Sequence, residues 1–132
     1  MPMVPFEALP DQSRLWVFAV ERTLEGADQE SFLGSVDQFL ETWAAHGVPL
    51  TCGRDFRRGR FLLVAVDEAS APPSGCSIDA LVRRMKVVQE ELGIELVTLH
   101  AGFLPHDAAD PERGKLIGRL RELDAAFAGA GI

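Results

Sequence analysis

The segment Ser74-Gly75-Cys76-Ser77-Ile78-Asp79 lies between a strand-like apolar run and a helical pattern. Before it, Phe61-Leu62-Leu63-Val64-Ala65-Val66 is apolar at every position, which predicts a strand covered on both faces. After it, apolar residues recur at helical spacing as far as Leu92, and Gly93 is placed to end the helix. The segment therefore marks the passage from a buried strand into a second helix, with a thiol at the start of that helix.

The chain before this segment contains a second buried strand and a first helix. Leu15 to Val20 is again apolar throughout and predicts a strand. A helical pattern follows, with Asp28 as its predicted N-cap and Gly47, directly after His46, as its left-handed C-terminal cap. The stretch from Val48 to Phe56 alternates as a half-exposed strand does, and Gly53 within it suggests a bulge.

The remaining predicted elements complete a regular order. Arg57-Arg58-Gly59 predicts a hairpin turn, and Leu96 to Leu99 a short last strand. Asp110 and Pro111 begin a third helix as N-cap and first helical residue. The order β-α-β-β-α-β followed by one helix predicts an α+β fold, a ferredoxin-like sheet with an additional C-terminal helix.

This topology has consequences for domains and assembly. Residues 1–13 are predicted to be an extended N-terminal arm, and residues 14–132 a single α+β domain. The two fully apolar strands belong in the centre of the sheet, and both of its faces need cover. Two helices cover one face, so the third helix or a second subunit must cover the other. We therefore expect a homodimer.

Composition narrows the possible partners and location. The chain of 132 residues has a net charge of −7, and an acidic surface argues against binding nucleic acid or anionic membranes. No apolar run is long enough to span a membrane. Residues 1–10 lack the basic and apolar regions of a signal peptide, and two cysteines are too few for a disulfide framework. The prediction is a cytoplasmic protein with reduced thiols.

Several polar residues are predicted to meet at one end of the sheet. In the predicted topology the third strand runs toward the end at which the first helix finishes and the second begins. Residues with side chains able to bind or react would gather there: Arg14, His46, Asp67, Glu68, Cys76 and His100. This end of the sheet is the predicted functional site.

The motifs at this end carry a family resemblance. Arg14-Leu15-Trp16-Val17, Trp43-Ala44-Ala45-His46-Gly47, Asp67-Glu68 and Ser74-Gly75-Cys76-Ser77-Ile78-Asp79 resemble a small bacterial family of unassigned function whose members are often labelled "ABC transporter ATPase". The label implies ATP hydrolysis, but a P-loop needs Gly-x-x-x-x-Gly-Lys-Ser/Thr. Here Gly114-Lys115 is followed by Leu116 and has Ala109 at the first glycine position. We expect no ATPase activity and no cofactor.

Three interpretations of the site remain open. In the first, the helix amides at Ser74, Gly75, Cys76 and Ser77, with Asp79 and Arg14 nearby, bind a small anionic ligand or a protein partner. In the second, Cys76 is a nucleophile, because the helix dipole favours its thiolate, and His46 is its base. Asp67 and Glu68 could add an acid/base pair.

The third interpretation is purely structural. Ser74 or Ser77 would then cap the helix, and Cys76 would fill a small apolar gap. Cys52 shares its strand face with core residues and is expected to be structural. No Cys-x-x-Cys or paired-histidine spacing supports a metal site from Cys76, His46 and His100, so none is predicted. Of the three interpretations, binding at the end with His46, Asp67 and Cys76 is the prediction, and thiol-dependent catalysis and a structural or assembly module are the alternatives.

Overall fold

The α+β class is confirmed by a computed structural model, which describes residues 3–10, 13–69 and 72–103. Its elements in chain order are a 3₁₀ helix (Phe6–Ala8), β1 (Arg14–Val20), α1 (Gly26–Glu41), β2 (Ala44–Ala45), β3 (Val48–Pro49), β4 (Cys52–Arg57), β5 (Phe61–Val66), α2 (Gly75–Leu92) and β6 (Leu96–Phe103). The third helix predicted from Asp110 lies outside the described residues. No helix in the described residues is both long and apolar enough to cross a bilayer.

The main sheet has four antiparallel strands in the order β4-β5-β1-β6. The two uninterrupted apolar strands, β1 and β5, are its central strands, as the sequence predicts. The small β2–β3 hairpin forms a separate two-stranded sheet that the sequence did not predict. In the register of the main sheet, Arg14, Val66 and Cys52 lie in one row, so the start of β1 and the end of β5 meet at one end.

Both faces of the sheet are buried, because successive side chains of a strand point to opposite sides. On the helix-side face, Trp16, Phe18 and Val20 join a core with residues of both helices: Phe32, Val36, Leu40, Leu81, Met85 and Val88. On the second face, a smaller core is formed by Leu15, Val17, Ala19, Phe61, Ala65 and Leu99. This alternation explains why β5, and β1 from Leu15 to Val20, are apolar at every position.

The N-terminal arm covers part of the second face. Phe6 and Leu9 pack against its apolar residues, and the arm is not extended throughout, because Phe6–Ala8 form the 3₁₀ helix. The apolar residues of that core are at most 8% exposed in the single chain. A second subunit is therefore not needed to bury them.

Helix α1 and the residues that follow it differ from the prediction. Helix α1 begins at Gly26 rather than after Asp28, and it ends at Glu41, before Trp43. His46 and Gly47 have φ angles of 52° and 78° and form the two-residue turn between β2 and β3. Two consecutive positive φ angles define a type I′ hairpin turn. The predicted helix cap at Gly47 is therefore wrong, although the positive φ it required is present.

The later elements agree better with the sequence. The hairpin turn between β4 and β5 is present but consists of residues 58–60, one position later than predicted, because Arg57 pairs with Phe61 in the sheet. Gly93 caps α2 with a φ of 63°. The bulge predicted at Gly53 is wrong, since β4 and β5 pair in unbroken register, and an irregularity lies instead where β6 passes Val17 and Phe18 of β1. Strand β6 is also longer than predicted, running from Leu96 to Phe103.

Candidate functional site

The start of α2 is fixed by reciprocal hydrogen bonds between two serines. Ser74 is the N-cap, and its Oγ accepts a hydrogen bond from the backbone N–H of Ser77 at 3.1 Å. The Oγ of Ser77 accepts one in return from the backbone N–H of Ser74 at 2.7 Å. This is a capping box, in which two amides without intrahelical partners are satisfied at once. Of the two serines that the structural interpretation offers as the cap, Ser74 is the N-cap, and Ser77 completes the capping box.

A buried hydrogen bond joins the start of α2 to the β2–β3 hairpin. The indole Nε1–H of Trp43 donates to the backbone carbonyl of Ser77 at 2.9 Å, across 34 positions of sequence. Both residues are 3% exposed, so neither group can turn to water instead. Strand β2 also contacts α2 directly. The Trp43–Gly47 and Ser74–Asp79 motifs are therefore parts of one rigid corner of the fold.

This corner carries an exposed surface. Its residues come from the hairpin turn and from the first turn of α2: His46, Gly47, Val48, Pro49, Gly75, Cys76 and Asp79, all of them exposed. We call this set the turn–helix surface. Val48 is 51% exposed, which is high for a large apolar side chain. The surface therefore combines apolar, imidazole, thiol and carboxylate groups on a buried support.

Cys76 does not fill an apolar gap, because its side chain is exposed at the second position of α2. That part of the structural interpretation is wrong. A Cβ built on the neighbouring Gly75 meets no atom within 4 Å, so the start of the helix is open to solvent or to a partner. No hydrogen bond joins the thiol of Cys76 to the imidazole of His46. The nucleophile–base pair stays a prediction.

Each of the two carboxylates that follow β5, those of Asp67 and Glu68, accepts a hydrogen bond. Glu68 receives a hydrogen bond from the guanidinium of Arg14 at 3.2 Å, and that guanidinium lies 5.9 Å from the centre of the Trp16 ring. The carboxylate of Asp67 accepts a hydrogen bond from the backbone N–H of Ala69 at 3.0 Å, which stabilises the turn after the strand. The structure thus brings Arg14 and Glu68 together, as the topology predicted.

The remaining candidate for the site, His100, lies elsewhere. His100 is within β6, opposite Val17 of β1, and is buried there, so the expectation that it leaves the last strand at the site is wrong. Across residues 3–10, 13–69 and 72–103, no group of three or more His, Cys, Asp or Glu side chains is arranged to hold a metal ion.

Cys52 is buried in the helix-side core and lies in the same row of the sheet as Val66 and Arg14. Its side chain is fully buried and its Sγ lies 3.5 Å from the carbonyl oxygen of Leu40. Burial disfavours the thiolate and raises the pKa of the Cys52 thiol from 9.0 to about 11. This environment suits the structural role that the sequence predicts for Cys52.

The stability contributed by the protonated Cys52 thiol is expected to be complete below about pH 9 and to be lost as the pH rises through about 11. The folded chain holds this proton more tightly than the unfolded chain, so unfolding releases it within that window. The sequence contains no tyrosine, which leaves few other groups titrating there. Raising the pH from about 8 to about 11 should lower the free energy of unfolding of the wild type by about 1–2 kcal/mol more than that of Cys52→Ala. Urea unfolding at each pH measures the difference. Parallel pH profiles for the two proteins would contradict this.

Two contributions to the site were not found from the sequence. The N–H of Trp43 links the two motifs, and no spacing in the sequence indicates its partner. A buried tryptophan usually has a hydrogen-bond partner, which signals that a link exists but not to which residue. The N-terminal arm has no periodicity, and its contact with β4 gave no signal at all.

Comparison of the chain with known protein families, with curated proteins and with solved structures found no match. The geometry of the site is therefore the basis on which a function is proposed.

Proposed function

We propose that this chain is a binding module that takes a protein partner on the turn–helix surface. The observation that carries this proposal is the buried Trp43–Ser77 hydrogen bond, which holds two exposed segments in one fixed arrangement. A surface that is ordered before binding loses less conformational entropy when a partner docks. The hairpin and the capped helix then act as a pre-organised recognition corner.

The chemistry of the surface favours a protein partner over a small anion. Val48 and Pro49 offer exposed apolar contact area, and His46, Cys76 and Asp79 add exposed polar groups. An apolar centre with a polar rim is the usual make-up of a protein interface. The backbone N–H groups of Gly75 and Cys76 would donate hydrogen bonds to a carboxylate or carbonyl of the partner.

The test compares two exposed valines that differ only in position. Proteins that the immobilised chain retains from source-cell extract are identified and purified. Each is then titrated with the wild type, with Val48→Asp and with the control Val87→Asp. Val87 lies on α2, and its side chain is 41% exposed. We expect Val48→Asp to raise the Kd about tenfold or more, and Val87→Asp to leave it unchanged. A partner that responds equally to both variants, or no partner that binds after purification, would contradict the proposal.

Two further variants separate the alternatives. Proline is well tolerated at the first position of a helix, so Gly75→Pro removes one amide donor without disturbing α2. Inorganic phosphate that raises the Tm of the wild type but not of Gly75→Pro would favour the anion-binding interpretation. A third measurement follows the alkylation of Cys76 as a function of pH. If Cys76 is alkylated quickly below the pH at which a free cysteine reacts, and slowly in His46→Asn, the result would favour the interpretation of the chain as a thiol-dependent enzyme. Asparagine is chosen because it tolerates the positive φ of His46.

The homodimer and the cytoplasmic location remain predictions beside this proposal. Sedimentation of the purified chain tests the first, and a monomer at all concentrations would contradict it. Fractionation of source cells tests the second.

A further inference from the structure

The N-terminal arm wraps around the outer edge of β4. Met3 pairs with Cys52 in a parallel bridge, and the backbone N–H of Val4 donates to the carbonyl of Cys52 at 2.7 Å. Met3 packs against the helix-side core, whereas Phe6 and Leu9 pack on the second face. The arm therefore crosses the edge of the sheet from one face to the other, and it adds a short parallel partner to that edge.

Gly53 makes this crossing possible. A Cβ built on Gly53 would lie 2.5 Å from the carbonyl oxygen of Val4 and 3.4 Å from the Cα of Phe6. Its φ is not in the left-handed region, so the absence of a side chain serves the close approach of a backbone. The edge of β4 is thus shaped to receive another chain segment at this residue.

The arm is held less firmly than the sheet it covers. None of residues 3–10 is fully buried. A cavity of about 220 Å³ lies between the arm and the sheet, lined by residues of the arm (Phe6, Glu7, Leu9, Pro10 and Ser13) and by Arg57 of β4 and Ala65 of β5. Segments with few buried apolar contacts open locally at a small fraction of the cost of global unfolding. The packing predicts that the arm leaves its place while the rest of the fold stays intact.

We propose that the arm is a removable cover over a strand-acceptor edge, and that the partner of this edge is a peptide segment that is extended where it pairs with Cys52, with an apolar residue at the position of Met3, and that then turns as the arm does to place apolar anchors at the positions of Phe6 and Leu9. Such a segment would pair with β4 by strand addition, in which main-chain hydrogen bonds give affinity and side-chain pockets give specificity. The arm itself shows the geometry that the partner must match. This acceptor edge is separate from the turn–helix surface and does not depend on the function proposed there.

The test traps a peptide on Cys52. The full-length chain carries Cys76→Ser, so that Cys52 is its single thiol. The probe is a synthetic peptide of residues 1–10 with Met3→Cys, its sulfur bonded to 2-thiopyridine. When the arm opens and the peptide takes its place, the Cys52 thiolate attacks the peptide sulfur, the protein–peptide S–S bond forms, and pyridine-2-thione leaves with the proton. Paired positions in a ladder lie within the reach of a disulfide.

A matched peptide gives the control. It has the same length and the same activated cysteine but carries Phe6→Asp and Leu9→Asp, which removes both apolar anchors. The tethered arm competes at an effective concentration of the order of 1 mM, so both peptides are used at about 1 mM. We expect the first peptide to label Cys52 about tenfold faster than the second, at a rate that low urea concentrations leave unchanged.

Three outcomes would overturn the proposal. Equal rates for the two peptides would show that the edge does not recognise the anchors. Labelling that follows global unfolding as urea is raised would show that the arm does not open alone. If the first peptide labels Cys52 faster than the second by the same factor in Gly53→Ala as in the chain with Gly53, the peptide binds away from the place where the arm crosses Gly53.

Discussion

Replacing Gly53 by alanine is expected to lower the free energy of unfolding by about 1–3 kcal/mol. The new Cβ would stand 2.5 Å from the carbonyl oxygen of Val4, a backbone atom that cannot rotate away as a side chain can. Either the arm shifts off the edge of β4 or the strand bends. In both cases the Val4–Cys52 hydrogen bond and the packing of Phe6 and Leu9 are weakened. Urea unfolding followed by circular dichroism measures the change.

Gly34→Ala is the matched control for this substitution. Gly34 lies in the middle of α1, and a Cβ there meets no atom within 4 Å. Alanine favours the helix, so this variant should gain about 0.5–1 kcal/mol. The same chemical change is therefore expected to have opposite signs at the two sites. A Gly53→Ala chain as stable as the wild type would mean that the arm is not seated on β4 as described.

Replacing Trp43 by phenylalanine is expected to cost about 2–3 kcal/mol of stability. The carbonyl of Ser77 keeps its bond within α2 but would lose its second donor at a place that water does not reach, and that buried hydrogen bond would not be replaced. The smaller ring would also lose contact with Trp16 and Phe39, whose ring centres lie 5.8 and 5.5 Å away. The corner that supports the turn–helix surface should loosen, with faster hydrogen exchange at the start of α2.

Trp16→Phe separates the hydrogen bond from the loss of ring volume. Trp16 is as buried as Trp43 and belongs to the same core, but its indole makes no hydrogen bond within the described residues. Its replacement should destabilise the core without a selective effect on hydrogen exchange at Ser77 and Ile78. If the two variants lose equal stability and show the same exchange pattern, the Trp43–Ser77 bond does not hold the corner together.

The sheet and the second helix could be predicted because their signals are local and agree with one another. The apolar runs of β1 and β5 require cover on both faces, and a strand with that need takes a central place. At α2, the helical spacing, the serine pair and Gly93 all indicate the same boundaries. Where several independent patterns coincide, the sequence is enough to place the element.

The end of α1 shows why other features could not be predicted. A glycine after a helical pattern is typical of a helix cap, but a positive φ is also what a type I′ turn needs. Only the pairing of Ala44 and Ala45 with Pro49 and Val48 decides between them, and the hairpin that they form also contacts α2. The Trp43–Ser77 bond and the seat of the arm on Gly53 are likewise contacts between distant segments. Spacing within one segment carries no information about them.

The central position of β1 has a consequence for synthesis on the ribosome. This strand is made first among those of the sheet, yet both of its neighbours, β5 and β6, are made much later, and β6 ends at Phe103. Until the residues of β5 and β6 have left the exit tunnel, the apolar residues Leu15 to Val20 of β1 have no neighbouring strand on either side. Such a segment is a target for chaperones during translation. The order of the strands therefore delays folding until most of the chain has been made.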